Sequence, residues 1–195
     1  MSLYEGLSQS SDTTPVTLGN IASYVTKRSK FGDLPVKQYL SNENLLKDKR
    51  GISGYSLCSD DEAVIAFEPG DTLIGNIRPY FKKIFHCDEY GGCNADVLVL
   101  RAKDSLYQEL VYCALSQDCF FDYVMSGATG TKMPRGDKTH ILLYEIAVPN
   151  EKKLADFVKF SQAAIEKVRE NKQEQARLQE FQQAILSRLS EFRSL

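Results

Sequence analysis

The run EKKLADFVKFSQAAIEKVRENKQEQARLQEFQQAILSRLSEFRSL, residues 151–195, follows directly on Val148-Pro149-Asn150 and decides how the chain is organised. It holds neither glycine nor proline and is dense in Gln, Glu, Lys, Arg, Ala and Leu, the residues that lose least on entering a helix. At 1.5 Å per residue a continuous helix of this length would reach roughly 65–70 Å, too long to pack along one small domain. Steps of three and four thread Leu154, Phe157, Ser161, Ala164, Val168, Asn171, Gln175, Leu178, Gln182, Ile185, Leu189 and Phe192 onto one seam. The ends of the seam are apolar and its middle, Asn171 and Gln175, is polar, a pattern that costs stability but fixes register and partner number. A single amphipathic helix lying on its own domain is the other reading, and the length favours a partner helix over it.

Before residue 151 the chain is mixed and well punctuated. Ala63–Phe67 reads as a strand, Glu68-Pro69-Gly70-Asp71 as a turn, and Thr72–Ile77 as a second strand. Pro79 breaks that ladder and Tyr80–Phe85 resumes extended. Cys93–Leu100 is a further strand, and its continuous apolar run Val97–Leu100 predicts burial on both faces. Pro35–Leu40 is extended and leads to a polar helical turn over Asn42–Lys49. Asp104 or Ser105 can cap a helix carrying Leu106, Leu110, Val111, Ala114 and Leu115. Ser116 or Asp118 can cap another with Phe120, Phe121, Val124 and Met125, stopped by Gly127. A loop rich in Gly, Thr and Lys then leads to a last strand, His140–Val148. Residues 1–15 are polar, rich in Ser and Thr, carry no signal-peptide pattern, and read as a flexible leader. The expected organisation is thus a leader over 1–15, a globular domain over 16–150 and a long helix over 151–195. The fold class is α+β, with a twisted, mostly antiparallel sheet and short helices followed by a long C-terminal coiled-coil helix.

The 195 residues are 43% hydrophobic and 26% charged, the composition of an ordinary globular protein. No stretch approaches the roughly 18 apolar residues that span a bilayer, and the chain is expected in the cytoplasm. Five cysteines leave one over for a disulfide framework, and Cys87-x5-Cys93 and Cys113-x5-Cys119 are too widely spaced for an ordinary zinc knuckle, so reduced thiols and no metal are expected. The net charge of −2 argues against a protein that binds nucleic acid through bulk charge alone. Its distribution matters more. Residues 1–150 hold 15 Lys and Arg against 19 Asp and Glu, and residues 151–195 hold 9 against 7.

No catalytic constellation stands out. The two histidines, His86 and His140, fall on separate predicted strands, where each reads as a partly buried strand residue, and there is no nucleophile elbow. Gly127-Ala-Thr-Gly-Thr-Lys132 has the wrong spacing for a phosphate loop and lies between a helix and a strand in the wrong order. Neither a nucleotide-binding glycine fingerprint nor the Asn-Pro-Pro-aromatic tetrad of an adenine methyltransferase is present. The chain reads as a binder without a cofactor of its own, not as an enzyme. Three clusters interleave cations with hydroxyls, aromatics or glycine, the mixture that supplies phosphate anchors and base-edge donors together. They are Lys27, Arg28 and Lys30; Arg78, Tyr80, Lys82 and Lys83; and Thr129, Thr131, Lys132, Arg135 and Lys138.

The order of these elements resembles a known family. Leu18-Gly-Asn-Ile-Ala22 resembles the opening of a target recognition domain in the specificity subunits of type I restriction-modification systems. Gly70-Asp-Thr-Leu-Ile-Gly-Asn-Ile-Arg-Pro-Tyr80 is similar to that domain's central Gly-Asp-x-Leu-x hairpin and Arg-Pro turn. Cys93–Arg101 is similar to the strand that follows. Gly127–Lys138 and Glu145-Ile-Ala-Val-Pro149 resemble the closing loop and the Ile-x-x-Pro passage into the family's long helix. The likeness spans about residues 16–195.

The resemblance implies a non-catalytic, sequence-specific DNA-binding subunit that directs modification and restriction subunits to a bipartite target. S-adenosylmethionine is then expected on the partner methyltransferase subunit. Full-length members carry two recognition domains and two long helices, whereas this chain has one of each. It is expected either as a natural half-subunit or as one half of a longer protein. Homodimerisation through Leu154, Phe157, Ala164, Val168, Leu178, Ile185, Leu189 and Phe192 would restore the arrangement. On this reading Lys82, Lys83 and Lys132 meet phosphate, and Arg78, Tyr80 and Thr131 read bases. Two alternatives stay open: a coiled-coil protein–protein interaction module without DNA binding, and the recognition subunit of another type of methyltransferase.

Overall fold

In the computed structural model, residues 3–8 and 12–192 are described. The chain divides into two units, residues 1–154 and 155–195. Among the described residues of the first are ten short strands and five short helices, α2 being the single turn Leu18–Ile21. Glycine, proline and Asx turns cut it so often that no strand exceeds the six residues of β9, Val97–Ala102. Three sheets result. One is four-stranded and wholly antiparallel, in the order β2 (Ala22–Tyr24), β9, β6 (Thr72–Gly75), β7 (Ile84–His86). The second runs β3 (Arg28–Lys30), β5 (Ala63–Phe67), β8 (Gly91–Cys93), β4 (Tyr39–Leu40), and only its β4–β8 pair is parallel. The third pairs β1 (Thr13–Thr17) with β10 (Glu145–Pro149) antiparallel, matching Thr13 to Pro149.

The strands over 63–67 and from 72 form where their patterns place them, but they do not make a hairpin with each other. β5 pairs with β3 and β8, while β6 pairs with β7 and β9, so the turn at 68–71 hands the chain from one sheet to the next. The hairpin is β6–β7, closed by the Gly75 amide donating to the Lys83 carbonyl at 3.0 Å. Between these sheets Leu40, Leu45, Phe67, Leu73, Phe85, Val97 and Val99 form one buried cluster. The apolar run Val97–Leu100 is buried throughout, as its lack of alternation predicts.

The turn itself is fully bonded. Gly70 has φ 91°, which a side chain would resist, and the Asp71 carboxylate is only 1% exposed. That carboxylate accepts from the Glu68 amide at 2.9 Å and from both Nε and Nη2 of Arg101 at 2.8 Å. Glu68 adds a second carboxylate 3.3 Å from Arg101, and this acidic company raises the Arg101 pKa, the Asp71 hydrogen bond contributing most.

Helices α3 (Gln108–Leu115) and α4 (Asp118–Ser126) bury Leu110, Val111, Ala114 and Leu115, and Phe120, Phe121 and Val124, the faces their spacing predicts. Asp104 caps a 3-10 turn ahead of α3 by accepting from the Leu106 amide at 2.9 Å, while Gln117 and not Ser116 or Asp118 occupies the cap position of α4. Several expectations differ from the structure. Cys93–Leu100 is not one strand, because β8 ends at Cys93 and a turn precedes β9 at Val97; the strand from Thr72 ends at Gly75, not Ile77; and Leu106 lies exposed in the 3-10 turn ahead of α3. Residues 1–15 are not merely a leader: α1 (Leu3–Ser8) places Tyr4 in a buried position where its hydroxyl accepts from the Ala147 amide at 3.1 Å, and Thr13–Thr17 is paired. Asn42–Lys49 forms turns and an isolated Leu45–Ile52 bridge, not a helical turn. Pro79–Phe81 is a 3-10 turn, not extended chain. His140 lies in a short helix, α5 (Lys138–Leu142), because the Asp137 carboxylate caps the His140 amide at 2.7 Å, and only Glu145–Pro149 of the predicted last strand is extended.

The last element, α6, runs unbroken from Glu151 to Phe192. Phe160, Val168, Leu178, Phe181, Ile185 and Leu186 are exposed on it. At 100° per residue they fall within a stripe of roughly 140° with Ala164, wider than the strict seam because Phe160, Phe181 and Leu186 flank it. Of the expected pairing residues, Leu154 and Phe157 are buried and so do not present a face to a partner, and the side chains of Leu189 and Phe192 lie outside the described residues. No described helix is long and apolar enough to cross a membrane.

Candidate nucleic-acid interface

The β6–β7 connection, Asn76–Lys83, holds two of the four non-glycine residues with positive φ among those described. Arg78 (φ 54°, ψ 67°) and Lys82 (φ 50°, ψ 46°) are left-handed on either side of the Pro79–Phe81 turn. Asp48 (φ 57°) and Lys49 (φ 60°) are the other two non-glycine residues with positive φ among those described. All four belong to one corner, since the Asp48 and Lys49 amides donate to the Phe81 and Lys82 carbonyls at 2.9 Å each. A left-handed residue with a Cβ costs about 1–2 kcal/mol, so the corner is held by its surroundings and not by local preference.

The 127–138 loop closes on the same corner. The Arg78 amide donates to the Pro134 carbonyl at 2.8 Å, and Ile77 bridges to Arg135. Thr129 and Arg135 exchange both backbone hydrogen bonds at 2.9 Å, which leaves Gly130 (φ 93°), Thr131 and Lys132 at an exposed tip. Arg135 pairs with Asp96 at 3.0 Å, and Lys138 sits with its ammonium 5.8 Å from the centre of the Tyr24 ring. The second and third predicted clusters are therefore one surface. Tyr80 projects from it, 46% exposed, its ring edge-on to Phe81.

Lys83 sits differently from its neighbours. It is only 9% exposed, its ammonium donates to the Asn42 carbonyl, and burial followed by the nearby charge of Lys47 lowers its pKa. With Asn42, Arg78, Phe81, Asn94 and Met133 it lines a hollow of about 410 Å³ beneath the corner. Among the described residues neither Lys83 nor Arg78 pairs with a carboxylate. Lys82 does, sharing Asp118 with Lys49 at 3.1 and 2.7 Å, and those two hydrogen bonds lower the Asp118 pKa.

The sequence reading missed Lys47, Lys49 and Arg50. The signal was available as Lys47-Asp48-Lys49-Arg50, but nothing in it tells that the segment folds back across Phe81 and Lys82. The Lys47 ammonium lies 3.9 Å from the Phe81 ring centre, and Arg50 is exposed beside it. These cations bear on the net charge of −2, because several of an acidic chain's positive side chains meet at this corner.

The first predicted cluster is not part of this surface. Lys27, Arg28 and Lys30 are exposed on and before β3, in the other four-stranded sheet, where Lys30 pairs with Asp61 at 3.0 Å and Lys27 lines a separate hollow with Tyr90 and Arg101. His140 stacks on Tyr123 with ring centres 4.1 Å apart and 10° between planes, and Gly127 is required there because a Cβ would come within 2.2 Å of the imidazole. Burial lowers the pKa of His86 and raises that of Cys93 to about 12. Among the described residues no group of three or more His, Cys, Asp or Glu is placed to hold a metal ion.

No family model matches the chain, and no curated protein matches it significantly. Solved structures do. A chain from a type I R-M system, described for its complex assembly and conformational transition, superposes with a TM-score of 0.62 at 19% identity, over 88% of this chain and 46% of that one. The HsdS subunit from Thermoanaerobacter tengcongensis gives 0.61 at 19% identity, over 82% of this chain and 44% of its own. The chain thus spans less than half the length of either, and what they share with it is the fold: an α+β domain followed by a long helix, as in the type I S subunit.

Proposed function

We propose that this chain is a sequence-reading half of a type I specificity subunit, a non-catalytic protein that brings modification and restriction subunits to a split DNA target. The observation that carries the reading is the corner: three of its four left-handed non-glycine residues are the cations Lys49, Arg78 and Lys82, and the 127–138 loop is bonded to it. Strain of this kind is kept where a surface must present fixed groups to a ligand. Exposed Lys132 and half-buried Lys82 supply phosphate contacts, and Arg78, Tyr80 and Thr131 read bases. The fold shared with type I S subunits supports this over an interaction module without DNA binding.

The methyl transfer itself belongs to the modification subunits, which bring S-adenosylmethionine. The assembly works in the cytoplasm, where the DNA is. Two copies pair through α6, whose exposed apolar stripe is wide enough for a partner helix, and the closed two-fold pair reads inverted half-sites.

Co-expression with a modification subunit and mapping of methylated adenines across the host genome tests this directly. A split, inverted-repeat motif is expected. A split but asymmetric motif would replace the homodimer by a heterodimer. No motif, from a modification subunit active with another specificity subunit, would overturn the DNA-reading function. In binding assays Lys132→Ala weakens all duplexes alike and lowers the slope of log affinity against log salt by about one.

A further inference from the structure

The tip of one short hairpin is built more firmly than a solvated loop requires. Leu45 and Ile52 bridge antiparallel, and the Leu46 amide donates to the Gly51 carbonyl at 2.8 Å, so residues 47–50 are the turn between them. The base of this hairpin is fixed twice over. Leu45 belongs to the buried core cluster, and the Asn44 side chain bonds the Ser41 amide and hydroxyl, the Gly54 carbonyl and the Ser56 hydroxyl at 2.8–3.1 Å. Its tip is fixed as well, because the Asp48 and Lys49 amides donate to the Phe81 and Lys82 carbonyls. Both tip residues are left-handed, a conformation that glycine takes without strain and lysine resists.

Three of the four residues on this rigid turn are cations. Lys47, Lys49 and Arg50 are exposed, and among the described residues Lys47 and Arg50 pair with no carboxylate. The Lys47 ammonium lies 3.9 Å from the Phe81 ring centre, and the Arg50 Nε donates to the Lys47 carbonyl at 3.1 Å, so both heads are steered without being neutralised. Cations gathered in this way repel one another until an anion meets them. Heads exposed on neighbouring residues suit a surface of repeated charge, and a duplex presents one phosphate for roughly every 1.7 Å of its axis. The chemistry of the turn favours phosphate over bases. It carries no hydroxyl or amide side chain, lysine is a flexible point charge, and Arg50 has committed one edge of its fork to the protein.

Resting on the DNA-reading function proposed above, we infer that Lys47, Lys49 and Arg50 grip the sugar-phosphate backbone of the target, at phosphates other than those met by Lys132. The 127–138 loop joins the corner at Ile77 and Arg78, whereas this tip joins it at Phe81 and Lys82, so the two are attached on either side of Pro79-Tyr80. The tip supplies affinity that is blind to sequence and holds the corner in place along the duplex. Its three cations are positioning residues, and the reading is left to Arg78, Tyr80 and Thr131.

The test measures binding of the full chain, over a range of salt, to duplexes selected from a random library and to scrambled duplexes. Lys47→Gln and Arg50→Gln are each expected to lower the slope of log affinity against log salt by about one on both kinds of duplex, and to leave the preferred sequence as it was. Lys47→Arg and Arg50→Lys keep the wild-type slope, which separates lost charge from lost packing. Neutral methylphosphonate linkages, placed one at a time in a selected duplex, locate the contacts. Those at the tip's phosphates weaken wild-type binding about two- to five-fold, as expected for an exposed pair, and have no effect on Lys47→Gln. They differ from the linkages to which Lys132→Ala becomes indifferent. The inference is overturned if either glutamine variant keeps the wild-type slope, if either changes the preferred base at a position, or if Lys47→Gln and Lys132→Ala become indifferent to the same linkages. A wild-type chain that binds no duplex overturns instead the DNA-reading function on which the inference stands.

Discussion

The two ends of β6 are built from nearly the same residues and treated oppositely. At the leading end, Gly70-Asp71, a buried carboxylate receives three hydrogen bonds, although Thr72 Oγ1 and, opposite it, His86 Nδ1 are buried without a partner. At the trailing end, Gly75-Asn76, the chain enters left-handed backbone at Arg78, and the Asn76 oxygen and Arg78 Nε stay buried and unpaired. The difference teaches that glycine followed by a short polar residue marks a place where backbone needs help, without saying whether the help comes from the protein or from a ligand. What sets the trailing end apart is a cation held in left-handed backbone, since both ends carry buried atoms without a partner.

Removing Arg101 should have the largest effect. Arg101→Met leaves the Asp71 carboxylate buried and uncompensated, and about 3 kcal/mol of stability should be lost in urea unfolding, the low end of the usual range because Arg101 is itself a third exposed. Adding Asp71→Asn should restore much of it. A loss under about 1 kcal/mol would mean that the leading end is not held by this pair. Arg78→Gly should behave oppositely: stability unchanged or raised by up to about 1 kcal/mol as left-handed strain is relieved, with sequence-specific binding lost. Marked destabilisation would make Arg78 a structural residue and erase the contrast.

Asp118→Asn should release Lys49 and Lys82 from their shared carboxylate and tighten binding to any duplex roughly two- to five-fold at low salt, as expected for an exposed pair. Unchanged affinity and salt slope would place phosphate elsewhere. The smallest effect concerns His86, whose pKa burial lowers. The fold favours the neutral ring, so its contribution is whole above the ordinary value of 6.5 and is lost as pH falls from there through the lowered native value. Urea midpoints of wild type and His86→Phe, compared at about pH 7.5 and about pH 5, should diverge toward the acid side. A constant gap would show that His86 does not titrate differently on folding.

Periodicity and punctuation made much of the fold legible. Ala63–Phe67, the turn at 68–71, the apolar faces of α3 and α4 and the unbroken helix after Pro149 follow from residues whose preferences agree with their surroundings. What stayed hidden depended on partners far along the chain. Nothing local tells that β5 and β6 belong to different sheets, or that Tyr4 anchors the first residues to Ala147. His140–Val148 carries enough β-branched and apolar residues to read as one strand, and the Asp137 cap overrode its first half. At the candidate site the cations were visible, but their grouping was not. Arg78 and Lys82 carry no sign of left-handed backbone, since that conformation is imposed by Pro134, Asp48 and Lys49. Lys83 looks like Lys82 in sequence, and only its distant partner, the Asn42 carbonyl, tells that it is turned inward.

The pairing of Thr13 with Pro149 has a consequence for how the protein is made. The two strands of that sheet are separated by most of the first unit, so at synthesis rates of about 5–20 residues per second β1 waits roughly 7–27 s for its partner to be added. Contacts between such distant residues carry the highest entropic cost of closure and form late. During that interval β1 is a free edge in a crowded cell. Its sequence, Thr-Thr-Pro-Val-Thr, suits the wait: the proline withdraws one backbone donor and the threonines leave little apolar surface to template a neighbouring chain. The last step of assembly then joins the beginning of the domain to the strand that launches the long helix, so that α6 starts from a completed fold.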